Sequence, residues 1–113
     1  MFDNLKNLAN LPGIMAKARE MQEKVKQMQA EAGNKQVSAD SGGGMVTAIV
    51  NGRLELIKLR IDKSRVDVND TEMLEDLIVA AVNAAHAKAA EMMREEMSRV
   101  ASDMGLPPGI VGQ

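Results

Sequence analysis

The chain has no cysteine, tryptophan or tyrosine, and Phe2 is its only aromatic residue. Without cysteine, neither disulfides nor thiolate metal sites can form, which is compatible with a reducing cytoplasm. No run approaches the roughly 18 consecutive apolar residues that a membrane-spanning helix needs. The first residues also lack the basic-then-apolar order of a secretory signal. These absences predict a cytoplasmic protein without a membrane partner.

The apolar side chains that are present are mostly small or flexible. Ten of the 113 residues are methionine and alanine is abundant. A chain of this length is expected to fold as a single domain over residues 1–113. Methionine fills irregular space, but together with alanine it supplies less apolar area than aromatic residues would. We therefore expect the core to be completed by a partner surface.

Charge is slightly negative overall and unevenly distributed. The net charge is −2 and the isoelectric point is about 5.4, which argues against a strongly basic nucleic-acid binder. Residues 1–37 hold six basic and four acidic side chains, whereas residues 63–113 hold five basic and nine acidic ones. Any binding to DNA would therefore depend on a segregated positive surface.

The first strong pattern predicts a helix over roughly residues 12–33, after a lead-in over 1–11. Its apolar positions are three or four residues apart and form one stripe, as in two packed helices. Pro12 is tolerated in a first helical turn, and Gly33 supplies an end. The stripe consists of Ile14, Ala18, Met21, Val25, Met28 and Ala32.

Residues 36–62 change to the two-residue period of strands. Residues 45–50 alternate, Asn51-Gly52 is a strong hairpin signal, and residues 54–62 form the return strand. Residues 36–40 are a weaker third strand. The pattern predicts an antiparallel sheet with one wet face and open edges. One face of the return strand is expected to carry Ile57, Leu59 and Ile61.

The last predicted element is a helix of more than thirty residues. Asn69 is expected to cap it with Glu72 three residues later, and apolar residues recur from Leu74 to Met104. Gly105 ends the pattern, and the tail over 106–113 contains Pro and Gly and is expected to be flexible. The fold class is therefore α+β, with a small antiparallel sheet between two long helices in the order α-β-β-β-α.

No catalytic, cofactor or metal site is predicted. The triplet Gly42-Gly43-Gly44 precedes a strand and lacks the Lys-Ser or Lys-Thr pair of a phosphate-binding loop, so a bulge or close backbone approach is favoured. His86 is the only histidine, and it has no evident proton-transfer partner. The acidic residues show no metal-ligand spacing. These features predict that the protein is not an enzyme.

Basic residues on the two helices are the remaining candidates for a functional surface. On the first helix, Lys17 and Lys24 are seven residues apart, as are Arg19 and Lys26, so each pair lies along one row. The span from Lys17 to Lys26 is about 13 Å at about 1.5 Å per residue, which could meet several duplex phosphates. The alternative is a solvated face with ion pairs four residues apart, joining Glu20 to Lys24 and Glu95 to Arg99.

Several segments together resemble the YbaB/EbfC family of nucleoid-associated proteins. They are the opening Met1-Phe2 with its Met/Gln/Lys-rich helix, Ser41-Gly42-Gly43-Gly44-Met45-Val46, Asn51-Gly52, Ile61-Asp62, the run from Glu75-Asp76-Leu77-Ile78 to Ala85, and Gly105-Leu106-Pro107-Pro108-Gly109. The family expects an unbroken helix where this chain has Leu11-Pro12-Gly13. The resemblance implies a bacterial homodimer with projecting helical arms that binds double-stranded DNA in the nucleoid and influences gene expression.

The resemblance places DNA contacts on the first and last helices. Carried over to the basic side chains present, it implies contacts by Lys17, Arg19, Lys24, Lys26, Lys88, Arg94 and Arg99. No helix shows the Arg/Asn/Gln clustering of a groove reader, so little sequence specificity is expected. The alternative function is a dimeric adaptor that docks proteins on the Met-rich last helix without binding DNA. Met92, Met93, Met97 and Met104 would form that surface.

Overall fold

A computed structural model describes residues 10–105 and confirms the α-β-β-β-α order. The elements are α1 Leu11–Ala32, β1 Gln36–Ser41, β2 Val46–Asn51, β3 Leu56–Ile61 and α2 Thr71–Asp103. The described residues divide into two compact units. The helical unit contains residues 10–28 and 96–105, and the sheet unit contains residues 29–95. The predicted lead-in and tail lie outside the described residues, except for Asn10 and Leu11.

Helix α1 begins one residue before Pro12, in agreement with the prediction. The Asn10 carbonyl accepts the first helical hydrogen bond from the Ile14 N–H at 3.0 Å. Pro12 is compatible with this start because the N–H groups of a first turn have no helical partner. Leu11-Pro12-Gly13 therefore lies in the first turn of α1.

The core of the sheet unit lies between β2 and α2. The strand order is β1-β2-β3, and both pairings are antiparallel. Val46, Ala48 and Val50 of β2 are fully buried, as the alternation predicts. They cluster with three fully buried alanines of α2, which allow the helix backbone to approach the sheet closely. Those alanines are Ala81, Ala85 and Ala89.

The glycine triplet forms the turn between β1 and β2. All three glycines have positive φ, from 59° at Gly42 to 96° at Gly44, a conformation that side chains rarely adopt. A Cβ on Gly42 would lie 2.9 Å from Leu77 Cδ2. The predicted close approach is thus present, but the triplet is a hairpin turn rather than a bulge.

The turn after β2 differs from the predicted two-residue hairpin. Strand β3 begins only at Leu56, and the positive φ of 64° falls on Leu54 rather than on Asn51-Gly52. The Asn51 side chain is buried and holds this longer loop, because its Oδ1 accepts the N–H groups of Arg53 at 2.9 Å and Glu55 at 3.0 Å. Hydrogen bonds to the buried Asn51 side chain therefore stabilise a longer loop in place of the expected two-residue turn.

A bulge alters the first half of β3. Ile49 pairs with Lys58 and Val50 pairs with Leu56, which leaves Ile57 as the extra residue. Leu59 and Ile61 are half-buried against the core, as predicted. The prediction is wrong for Ile57, which is 47% exposed because the bulge turns it away.

The N-terminal cap of α2 is also one residue later than predicted. The Asp70 Oδ1 accepts the Met73 N–H at 3.2 Å, and the Asp70 carbonyl accepts the Leu74 N–H at 3.1 Å. Asp70, rather than Asn69, is therefore the capping residue. The Asn69 N–H instead donates to Asp67 Oδ1 at 3.0 Å in the preceding turn.

Candidate nucleic-acid interface

Helical geometry separates the four basic residues of α1 into two opposite rows. At about 100° per residue, Lys17 and Arg19 point roughly 200° apart, and Lys24 and Lys26 repeat that separation one heptad later. The row of Arg19 and Lys26 spans about 10 Å along the helix at about 1.5 Å per residue. The four cations therefore form two tracks on α1 rather than one continuous basic face.

The row of Lys17 and Lys24 borders the apolar stripe. The Lys17 Nζ donates to the carbonyl oxygen of Met104 at 3.3 Å, near the end of α2. The last carbonyls of a helix lack helical donors, so this contact satisfies one of them. Lys24 is half-buried. Lys17 therefore has a carbonyl partner that competes with phosphate, and Lys24 is less accessible to phosphate than an exposed lysine.

The row of Arg19 and Lys26 is open to solvent. Both residues are exposed, and within residues 10–105 neither makes an ion pair. Their guanidinium and ammonium groups keep all their donors available for phosphate oxygens. These two residues are the strongest candidates on α1.

The three basic residues predicted on α2 all have intramolecular partners. The Lys88 Nζ donates to the Ser38 carbonyl of strand β1 at 2.9 Å. Arg94 forms an ion pair with Glu91 three residues earlier. Arg99, 66% exposed, pairs with Glu96 at 3.5 Å rather than with Glu95. An exposed pair of this kind is worth about 0–1 kcal/mol, so DNA could compete for either arginine more easily than for Lys88.

Charge differs between the two units. The described part of the helical unit holds five basic and four acidic side chains, whereas the sheet unit holds eight basic and eleven acidic ones. Because the Debye length at physiological salt is about 8 Å, a phosphate senses local rather than total charge. The helical unit is therefore the more favourable place for a polyanion, despite the acidic isoelectric point.

Two further exposed cations lie on the sheet and were not predicted. Lys58 and Arg60 alternate with Leu59 and Ile61 on β3, so they lie on the face opposite the core. The alternation predicts that this face is exposed to solvent. Exposure to solvent alone does not show whether a basic residue binds DNA. They provide a matched comparison for Arg19 and Lys26.

His86 and the potential metal ligands are the side chains of the described residues that bear on catalysis and metal binding. The buried Nε2 of His86 has no hydrogen-bond partner there. No group of three or more potential metal ligands occurs among residues 10–105. Neither helix in that range is long and apolar enough to cross a membrane.

The four methionines of the predicted adaptor surface are half-buried or buried. Met92, Met93 and Met97 are half-buried, and Met104 is 6% exposed. Met93 also lies close to the β2–β3 loop, since a Cβ on Gly52 would be 2.7 Å from its sulfur. A protein-docking surface on these side chains would thus have little free sulfur and methyl area to offer.

Known proteins match this chain over most of its length. A family model described as the YbaB/EbfC DNA-binding family matches residues 6–104. The chain is 48% identical over 105 residues to "Nucleoid-associated protein amb4104" of Paramagnetospirillum magneticum, covering 93% of this chain and 95% of that protein. It is 44% identical over 98 residues to "Nucleoid-associated protein Teth39_2199" of Thermoanaerobacter pseudethanolicus, covering 87% and 88%.

A solved structure has a similar fold. The crystal structure of uncharacterized protein HP0035 from Helicobacter pylori superposes with a TM-score of 0.58 at 27% identity. The match covers 69% of this chain and 90% of that one.

Proposed function

Because the chain belongs to the YbaB/EbfC DNA-binding family, we propose that it binds double-stranded DNA as a homodimer with little sequence specificity. In this proposal it acts in the nucleoid of a bacterial cytoplasm, alters DNA conformation and influences gene expression. Its relatives are named nucleoid-associated proteins, which agrees with this location. The family is a DNA-binding one rather than an enzyme class.

The observation that carries the proposal is the open row of Arg19 and Lys26. Two cations that make no ion pair within residues 10–105 and lie on one helix can neutralise neighbouring phosphates, and this contact does not depend on base sequence. In a homodimer the row occurs twice. Simultaneous engagement of two rows on one duplex would raise the overall affinity well above that of either row.

The homodimer part of the proposal is supported by incomplete burial. Leu56 and Ile57 on β3 are 46% and 47% exposed, and Val79 on α2 is 58% exposed. Among residues 10–105, only two fully buried side chains are larger than alanine, namely Val46 and Val50. A core this small gains from a second protomer that removes further apolar area from water.

Charge reversal tests the proposed DNA contacts. The double variant Arg19→Glu/Lys26→Glu is compared with Lys58→Glu/Arg60→Glu, which makes the same change of charge on the sheet unit. We expect the first variant to weaken binding to a duplex of unrelated sequence at least tenfold more than the second. Fluorescence anisotropy of labelled duplex measures this, with circular dichroism and sedimentation confirming that both variants fold and keep the wild-type mass.

Equal weakening by both variants would mean that only net charge matters and would refute the assignment to α1.

An adaptor is the second candidate. It would be favoured if nucleic-acid-free protein showed no salt-dependent retention of duplex DNA yet captured one defined protein.

A further inference from the structure

The open row of basic residues on α1 continues toward the start of the helix into exposed apolar side chains. Met15 is 48% exposed and Leu11 is 45% exposed. At about 100° per residue, both lie within about 80° of the two cations around the helix axis, so the four side chains share one face of α1. We call this face, which consists of Leu11, Met15, Arg19 and Lys26, the mixed face.

The mixed face carries no acidic side chain of α1. The three acidic residues of the helix lie about 80° to 160° around the axis from Met15, and they are Glu20, Glu23 and Glu31. Single exposed apolar residues are common on protein surfaces. Here two occur one turn apart and in line with two cations that make no ion pair within residues 10–105. This combination indicates a ligand that is both anionic and partly apolar.

The spacing along α1 matches the minor groove of duplex DNA. Met15 lies about 6 Å along the axis from Arg19, at about 1.5 Å per residue. The minor groove is about 6 Å wide and is bordered by phosphates. With the Arg19 guanidinium on a phosphate at the groove edge, Met15 therefore lies over the groove. The helix, about 10–12 Å in diameter, is too wide to enter, so only its side chains can do so.

The chemistry of methionine suits a contact inside that groove. Its unbranched thioether adapts to irregular apolar surfaces, and the apolar surfaces of a duplex are its sugars and base faces. Apolar side chains that insert between base steps from the minor groove bend the duplex. The minor groove also presents few polar groups that distinguish one sequence from another, so such a contact fits binding with little sequence specificity.

We propose that Met15 enters the minor groove as an apolar wedge while Arg19 and Lys26 bind phosphates, and that it partly unstacks a base step and thereby bends the duplex. Leu11, one turn earlier, extends the apolar contact along the groove. The inference rests on the proposed DNA-binding function and names the residue through which DNA conformation is altered.

Replacing Met15 with glutamine tests the wedge, because the change keeps the length and the helix propensity of the side chain but removes its apolar end. Met15→Leu is the conservative variant, and Met73→Gln is the matched control at a position that is 41% exposed near the start of α2. We expect Met15→Gln to weaken duplex binding about tenfold and the other two variants to stay within about twofold of wild type. The slope of log K against log salt should be unchanged in all three, because methionine carries no charge.

Energy transfer between dyes at the two ends of a duplex of about 30 base pairs measures the bend at saturating protein. Wild type, Met15→Leu and Met73→Gln should raise the transfer efficiency, whereas Met15→Gln should leave it close to that of free DNA. Equal bending by wild type and Met15→Gln would overturn the wedge and leave the DNA-binding proposal intact. A wild-type protein that binds no duplex would overturn both.

Oxidation by hydrogen peroxide gives an independent readout of the contact, since peptide mass spectrometry reports sulfoxide formation at each methionine. In the free protein, Met15 and Met73 should oxidise faster than Met28, which is 7% exposed. Saturating duplex should slow oxidation of Met15 at least about threefold and leave Met73 unchanged. Unchanged oxidation of Met15 on DNA would contradict the proposal. So would slow oxidation of Met15 in the free protein, because a partner chain would then cover it.

Discussion

Replacing Gly52 with alanine is expected to be among the most destabilising single changes in the sheet unit. Gly52 has no positive φ, so the reason is space rather than backbone strain. An added Cβ would lie 2.8 Å from the Ala32 carbonyl oxygen and 3.0 Å from the Ala32 Cβ. The Gly52 N–H donates to that same carbonyl and to the Lys35 carbonyl, both at 2.9 Å.

The magnitude follows from these two effects. Overpacking by one methyl group costs about 1–3 kcal/mol when the neighbours are rigid. Moving the loop away also lengthens the two hydrogen bonds, each worth about 0.5–1.5 kcal/mol. Gly52→Ala should therefore lower the free energy of unfolding by about 2–4 kcal/mol, a large part of the typical 5–15 kcal/mol.

Thermal and urea denaturation at one fixed protein concentration measure the effect, since oligomerisation makes stability depend on concentration. For a domain of this size, 1 kcal/mol moves Tm by about 4–8 °C, so a loss of 2–4 kcal/mol should lower Tm by roughly 8–30 °C. Gly33→Ala is the matched control. Its Cβ would meet only the flexible Arg53 side chain at 3.4 Å, so little loss is expected. If the two variants had equal Tm values, the close approach at Gly52 would be refuted.

Three other changes test separate features of the sheet unit. Gly42→Ala should lower the free energy of unfolding more than Gly43→Ala does. Both glycines have a left-handed φ, which costs another residue about 1–2 kcal/mol, but only a Cβ on Gly42 would make a contact below 3 Å. Asn51→Ala should cost about 1–3 kcal/mol in urea denaturation, because it leaves loop N–H groups without their acceptor. The Ser64 hydroxyl and N–H hold the pKa of Asp62 below its ordinary value of 3.8, so NMR titration of Ser64→Ala should show that pKa rising. Because the folded pKa is lowered, the ionised Asp62 stabilises the protein at neutral pH, and this contribution is lost as pH falls below 3.8.

The hydrophobic periodicity of the sequence was sufficient to predict the helices and strands of the fold. The three- and four-residue spacing from Ile14 to Ala32 predicted α1 to within about one residue at each end, and the alternation of Val46, Ala48 and Val50 identified the buried face of β2. Both signals are local, because burial of one face requires a fixed repeat along each element. The β3 bulge at Ile57 left no such signal.

The details that were missed depend on tertiary contacts. A longer loop takes the place of the two-residue turn because its N–H groups donate to the Asn51 side-chain oxygen. Among the residues predicted to contact DNA, the placement of Lys17 and Arg19 on roughly opposite sides of α1 could be calculated from the sequence. The carbonyl partners of Lys17 and Lys88 were not, since 87 and 50 residues separate them along the chain.

The most direct test of the proposed function is a salt titration of duplex DNA binding, with the mass of the free protein measured by light scattering. Each neutralised phosphate contributes about −0.9 to the slope of log K against log salt. Two protomers with Arg19 and Lys26 on phosphates should give a slope of about −3 to −4, similar for unrelated duplex sequences, and a free mass close to twice 12.2 kDa. A slope near zero, or a free mass of one chain with undiminished binding, would contradict the proposal of a DNA-binding homodimer.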